Sequence, residues 1–220
     1  MAERIGAFFD FDETLLDTES SRLGIKYLWD RRLVSQAFIL KAFVAGFLYK
    51  RHWITDEQTA KILLRLYRNR RLVEFTDGSE VFYREILKPR LAPKILAKVY
   101  DHKDQGHSLV LISGSIRYML EPVARDLGFE HLLCTDLEVG ANGLLTGKPK
   151  GPLCLDTTKR HLATELAQGT GIDLERSYAY GNHQADLPLL ESVGFPHAVE
   201  PSRPLMKVAV ARNWPILFYK

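Results

Sequence analysis

The chain has 220 residues, 46% of them hydrophobic and 26% charged, enough to bury one large core or a core with a sizeable insertion. That balance is ordinary for a soluble globular protein, and the two cysteines, Cys134 and Cys154, make neither a disulfide framework nor a metal-ligand pair of useful spacing. The net charge of +3 conceals an asymmetry: residues 18–90 hold 15 Lys and Arg against 8 Asp and Glu, a balance of +7, whereas the remainder stands at −4.

Residues 5–9, Ile-Gly-Ala-Phe-Phe, are small and apolar, the pattern of a strand buried on both faces of a parallel sheet. Asp10 and Asp12 follow where that strand should run out, with Thr14 just beyond. Two carboxylates beside an apolar run are costly without compensation. A divalent cation supplies it, and hard oxygen ligands suit magnesium. The competing reading, an N-cap on a following helix, accounts for one acid and leaves the other unexplained. Glu3, Asp10 and Asp12 interrupt the N-terminal apolar run too early for a secretory signal. With no disulfide framework, a cytoplasmic location is expected.

Residues 22–29, 33–49 and 55–72 read as helices, the last capped by Thr55 with Glu57 in its first turn. The stretch from Leu33 to Tyr49 is apolar nearly all round and flanked by Arg31, Arg32, Lys50 and Arg51. It is shorter than the roughly 20 residues a membrane span needs, and Gln36, Lys41 and Gly46 interrupt it. A buried helix or a dimer face is expected, and an in-plane membrane contact is the alternative. Residues 78–87 look helical, and 93–105 form an amphipathic helix closed by Gly106. Residues 107–112 are a second buried strand, ending at Ser113-Gly114-Ser115, with a helix over 116–127 closed by Gly128. Residues 137–145, with Asn142-Gly143 at the tip, predict a β-hairpin carrying a type I′ turn. A helix over 157–167, capped by Asp156 or Thr157, precedes a third strand at 177–180, a helix from Leu187 and a fourth strand at 196–199.

Alternating strands and helices predict an α/β fold, a doubly wound and mainly parallel sheet. In such folds ligands lie beyond the carboxyl ends of the strands. Polar residues follow three of the apolar runs there: Asp10 with Asp12, Ser113, and Asn182 with Asp186.

These motifs, in this order, resemble the haloacid dehalogenase-like hydrolases, specifically the IB subgroup that includes phosphoserine phosphatase. Asp10-Phe11-Asp12-Glu13-Thr14-Leu15 matches the first motif, DxDxT, and Ser113 the second. Lys159, opening a helix, matches the third, and Gly181-Asn182 through Asp186 and the apolar run after it matches the fourth. The resemblance covers essentially the whole chain. It implies a Rossmann-like core made of residues 1–17 and 91–220, with residues 18–90 inserted as a helical cap of the C1 type. It also implies a Mg²⁺-dependent phosphomonoester hydrolase acting on a small phosphorylated metabolite, phosphoserine being one candidate.

In that scheme Asp10 attacks phosphorus to form an aspartyl phosphate, and Asp12 is the general acid and base. Ser113 and the Gly114 amide hold phosphate oxygens, and Lys159 neutralises charge and holds Asp10. Thr14 and Glu19 join the substrate-binding set. Asp10, the Asp12 carbonyl, Asn182 and Asp186 would hold Mg²⁺. A lysine on a solvated helix face and a serine capping a helix are the ordinary readings of Lys159 and Ser113. Asn182 stands where the family usually has an aspartate, so the resemblance implies weaker metal binding unless Asp186 compensates. Ala185 stands where phosphoserine phosphatases carry Asn, so the reaction is expected and phosphoserine itself is not fixed. Two alternatives remain: a membrane-surface phosphatase acting on a lipid-like phosphate, and a phosphate-binding protein of the same fold with weak turnover. Nucleic acid is not an expected partner, because no aromatic-basic motif accompanies the basic segment.

Overall fold

Six parallel strands form the centre of the molecule, side by side in the order His131–Thr135, Ser108–Ile116, Arg4–Phe9, Ile172–Gly181, Phe195–Val199 and Ile216–Leu217. The computed structural model describes residues 4–51 and 53–219; Glu3, used above against a secretory signal, lies outside them. In chain order, β1 is Arg4–Phe9, followed by a wide turn over Phe11–Leu15. The helices α1 (Ser20–Asp30), α2 (Gln36–Lys50), α3 (Asp56–Leu64), α4 (Val73–Thr76) and α5 (Ser79–Phe82) come next. Then follow α6 (Pro93–Asp104), β2 (Ser108–Ile116), α7 (Arg117–Leu127) and β3 (His131–Thr135). A hairpin of β4 (Leu137–Val139) and β5 (Leu145–Pro149) leads to α8 (Thr157–Thr170) and β6 (Ile172–Gly181). The chain ends through α9 (Leu187–Leu190), β7 (Phe195–Val199), α10 (Arg203–Ala211) and β8 (Ile216–Leu217).

The all-apolar central strands are explained by two cores, one on each face. Ala7, Phe9, Leu109 and Leu111 pack with Ile95 and Val99 of α6 and with Leu120 and Val123 of α7. The alternate residues Phe8, Val110 and Ile112 pack with Ala163, Leu189 and Leu205 on the opposite side. Period-two side chains therefore meet apolar partners both ways, and no alternation survives in the sequence. Gly128 closes α7 with φ 79°, a left-handed cap that a side chain would strain. The strand order reverses between β1 and β6, which pair directly, and that switch point opens a crevice at their carboxyl ends.

The helical segment leaves and re-enters the sheet at one place. Leu16 and Leu91 form an antiparallel bridge, with Asp17 N donating to Arg90 O at 2.9 Å and Ala92 N donating to Leu15 O at 2.9 Å. Leu28, Tyr67, Phe75 and Phe82 of that segment belong to the same core cluster as Tyr118 and Met119 of α7.

Several expectations need correction. The helix around 33–49 begins only at Gln36, capped by Ser35, and it is not buried: Ala45 alone is enclosed, while Leu40, Val44 and Phe47 are exposed and Phe43 is 74% exposed. Among the described residues no helix is long and apolar enough to cross a membrane. The helix expected over 55–72 starts at the Thr55 cap, with Gln58 completing a capping box, but stops at Leu64. Residues 69 and 70 instead pair with Leu145 at the start of β5. The hairpin tip is not a type I′ turn, which needs positive φ at both central residues. Gly143 has φ 75° but Asn142 is not left-handed, and Asn142 Oδ1 accepts from Leu144 N at 3.0 Å across a longer loop. β3 and β8, short edge-side strands, were not anticipated, and the third strand is longer than the 177–180 expected. Asp156 precedes α8 but its side chain caps nothing.

Candidate active site

β1 delivers Asp10 into the crevice. Its backbone N–H donates to Tyr180 O at 3.0 Å, tying it to β6, and its carboxylate is buried. Lys159, in the first turn of α8 and 5% exposed, places Nζ 2.6 Å from Asp10 Oδ1 and 2.6 Å from Asp186 Oδ1. Its neighbour Arg160 is exposed. Burial opposes the Lys159 charge, but Asp10 and Asp186 outweigh it and hold the ammonium above its ordinary range. Burial pushes the Asp10 carboxyl up, with Asp186 adding to the shift and Lys159 opposing it.

Asp186 is itself locked in place. Its Oδ2 accepts from Asn182 N at 3.1 Å and His183 N at 3.0 Å. Gly181 permits this approach, because a Cβ there would stand 2.7 Å from Asp186 Cβ. Asn182 is nearly buried, its Nδ2 3.5 Å from Glu13 Oε2.

Asp12 occupies the other side of the turn. Its Oδ1 accepts from the backbone N–H of Ser20 and its Oδ2 from Ser115 Oγ at 2.7 Å. The Ser20 and Ser115 hydroxyls share a further hydrogen bond of 2.8 Å. Ser113 is buried, its Oγ accepting from Ser115 N at 3.1 Å. Gly114 lies within the end of β2 rather than at a helix start, since α7 begins at Arg117. Space explains the glycine: a Cβ would meet Leu155 at 2.6 Å. Thr14 is fully buried and donates to Asp10 Oδ2 at 3.0 Å, so it holds the carboxylate in place. Glu19 stands exposed just before α1. Partial burial first, then the charges of Glu13 and Asp12, push its carboxyl up.

Asp10, Lys159, Asn182 and Asp186 thus meet directly, Asp12 and Ser113 flank them through Ser115, and Glu19 stays at the rim. Ser20, Ser115, Glu13 and Tyr219 were missed. Ser115 left a signal in the Ser-Gly-Ser at a strand end, and Glu13 lay inside the first motif without a role of its own. Tyr219 donates from the C-terminal tail to Glu13 O at 2.9 Å.

The donor set suits a hard cation. Asp10 and Asp186 are carboxylates, and Asn182 Oδ1 accepts no hydrogen bond among the described residues. Mg²⁺ characteristically uses one or two carboxylates and keeps several waters. No group of three or more His, Cys, Asp or Glu able to hold a metal occurs among the described residues.

A family model described as haloacid dehalogenase-like hydrolase matches residues 7–191. A probable phosphatase of Mycobacterium tuberculosis is 31% identical over 98% of this chain and 76% of its own length. A solved structure of a Bordetella pertussis protein of unknown function superposes with a TM-score of 0.88 at 29% identity, covering 98% of this chain and 99% of that one. A substrate-bound phosphoserine phosphatase superposes with a TM-score of 0.72 at 17% identity over 100% of this chain and 95% of that one, a likeness of fold.

Proposed function

The chain belongs to the haloacid dehalogenase-like hydrolases, and from that premise we propose that it is a Mg²⁺-dependent phosphomonoesterase acting through an aspartyl phosphate on Asp10. The observation that carries this reading is Lys159, buried at 2.6 Å from both Asp10 and Asp186 at the switch point of the sheet. A buried cation held between two carboxylates fixes a nucleophile and offsets part of their negative charge where a phosphate would arrive.

A carboxylate oxygen of Asp10 attacks phosphorus, and the P–O bond to the leaving alcohol breaks. Asp12 gives that alcohol its proton, then removes one from the water that hydrolyses the acyl phosphate. Ser115 suits both states of Asp12, because a hydroxyl can donate to the carboxylate or turn to accept from the acid. Ser113 Oγ and the backbone N–H groups at the end of β2 face the phosphate oxygens, and Lys159 keeps Asp10 oriented throughout. Asp10, the Asp12 carbonyl, Asn182 and Asp186 would hold Mg²⁺, which when bound neutralises phosphate charge.

Residues 18–90 serve as the cap, joined to the core by the paired crossings at Leu16 and Leu91, and their cationic balance collects an anionic substrate. Glu19 at the rim suits the cationic part of a small phosphorylated metabolite, and a cytoplasmic setting fits such a substrate. The test is a phosphate-release screen with Mg²⁺ across amino-acid, sugar and lipid phosphates, run beside Asp10→Asn. Release by the parent and none by the folded variant is expected. Turnover by Asp10→Asn above a trace removes Asp10 from its role.

A further inference from the structure

Glu13 is the only residue in the turn after β1 with positive φ, at φ 54° and ψ 13°. An L-residue there costs on the order of 1 kcal/mol that glycine would not. The backbone is fixed in that shape: Glu13 N donates to Thr18 O at 3.2 Å, and its carbonyl accepts from Tyr219 Oη at 2.9 Å. The turn therefore demands a left-handed residue, and the chain fills the position with a large acid instead of a glycine.

The side chain gives the reason. Glu13 Oε2 lies 3.5 Å from Asn182 Nδ2. An ionised carboxylate only accepts hydrogen bonds, so Asn182 must turn its amide nitrogen toward Glu13. The Asn182 backbone is fixed on both sides, its N–H held by Asp186 and its carbonyl by Ser202 N at 2.8 Å. Its Oδ1 is then the acceptor left open. Charge points the same way. Lys159 bridges Asp10 and Asp186, so those three groups leave a single net negative charge to face a dication. Glu13 brings a second, at a contact 169 residues away in sequence from Asn182.

We propose that Glu13 is a positioning residue of the metal site, aiming the Asn182 amide oxygen and supplying the carboxylate charge that the neutral Asn182 does not. This rests on the Mg²⁺ reading above. The test is Mg²⁺ binding by titration calorimetry on the full chain, with metal-free melting curves as the control for folding. Glu13→Gln should weaken Mg²⁺ about 10- to 100-fold, the usual loss when a ligand's supporting partner is removed. Glu13→Gly should melt at or above the parent without metal yet bind Mg²⁺ as poorly, which separates a strained functional residue from a structural one. Asn182→Asp should recover binding in the Glu13→Gln protein and gain much less in the parent, where two carboxylates would face each other. Parent-like Mg²⁺ affinity in both Glu13→Gln and Glu13→Gly overturns the proposal and leaves the metal reading standing. A parent protein that binds no Mg²⁺ overturns both.

Discussion

Acidification should destabilise this protein, and buried His102 should account for part of the loss. His102, on α6, is 4% exposed, with Nδ1 2.8 Å from His107 Nδ1 and Nε2 2.8 Å from Tyr180 Oη. Its ring also packs against Phe9 and Tyr178. Burial first, then the nearby His107, His197 and Lys98 charges, lower its pKa from 6.5 to about 4, with Asp101 opposing. The unfolded chain therefore binds this proton more readily between those two values. The associated stability is complete above about pH 6.5 and is lost as pH falls toward 4. At about 1.4 kcal/mol per pKa unit the full loss is about 3 kcal/mol, of which about 2 kcal/mol is gone by pH 5. For a chain of this size that is a melting shift of roughly 4–8 °C. His107 and His197 are lowered by burial as well and deepen the fall. The assay is chemical denaturation at pH 7, 6 and 5 for the parent and His102→Gln. The variant should be less stable at pH 7, having lost ring packing, but its stability should fall by about 2 kcal/mol less between pH 7 and 5. Equal slopes for the two proteins, or an NMR titration of His102 near 6.5, refute the reasoning.

Three further outcomes are expected. Lys159→Met leaves Asp10 and Asp186 buried side by side without their cation, so metal-free stability should drop by about 3–5 kcal/mol in urea unfolding, with part of it restored by Mg²⁺. Asp12→Asn should slow hydrolysis of alkyl phosphates far more than of activated aryl phosphates, whose leaving groups need no proton; equal losses in steady-state rates make Asp12 structural. If the cationic segment 18–90 steers substrate, kcat/KM should fall as salt rises through physiological strength, where charges are screened over about 8 Å, and a flat salt profile reduces that charge to surface solvation.

Local sequence determined much of this protein, because the forces behind those features act over a few residues. The apolar runs ending in Asp10, Ser113 and Asn182 marked the central strands and the end of the sheet where a site would sit. Gly106 and Gly128 marked helix ends, and Thr55 marked a helix start, since caps are satisfied within one turn. Other features depended on what tertiary packing brings alongside. Lys159 and Arg160 are adjacent and chemically alike, yet only the position of α8 over β1 and β6 buries one against carboxylates 149 and 27 residues away. The apolar run that becomes α2 read as a buried helix or a dimer face, but hydrophobicity does not say which face finds a partner, and its outer ridge is exposed in the folded chain. Ser115 meets Asp12 across 103 residues and Glu13 meets Asn182 across 169, through the parallel order of β2, β1 and β6. The sequence carried the chemistry of each side chain and the element it rides on; the crossover connections decided which of those side chains share a low-dielectric crevice, where their charges and hydrogen bonds count most.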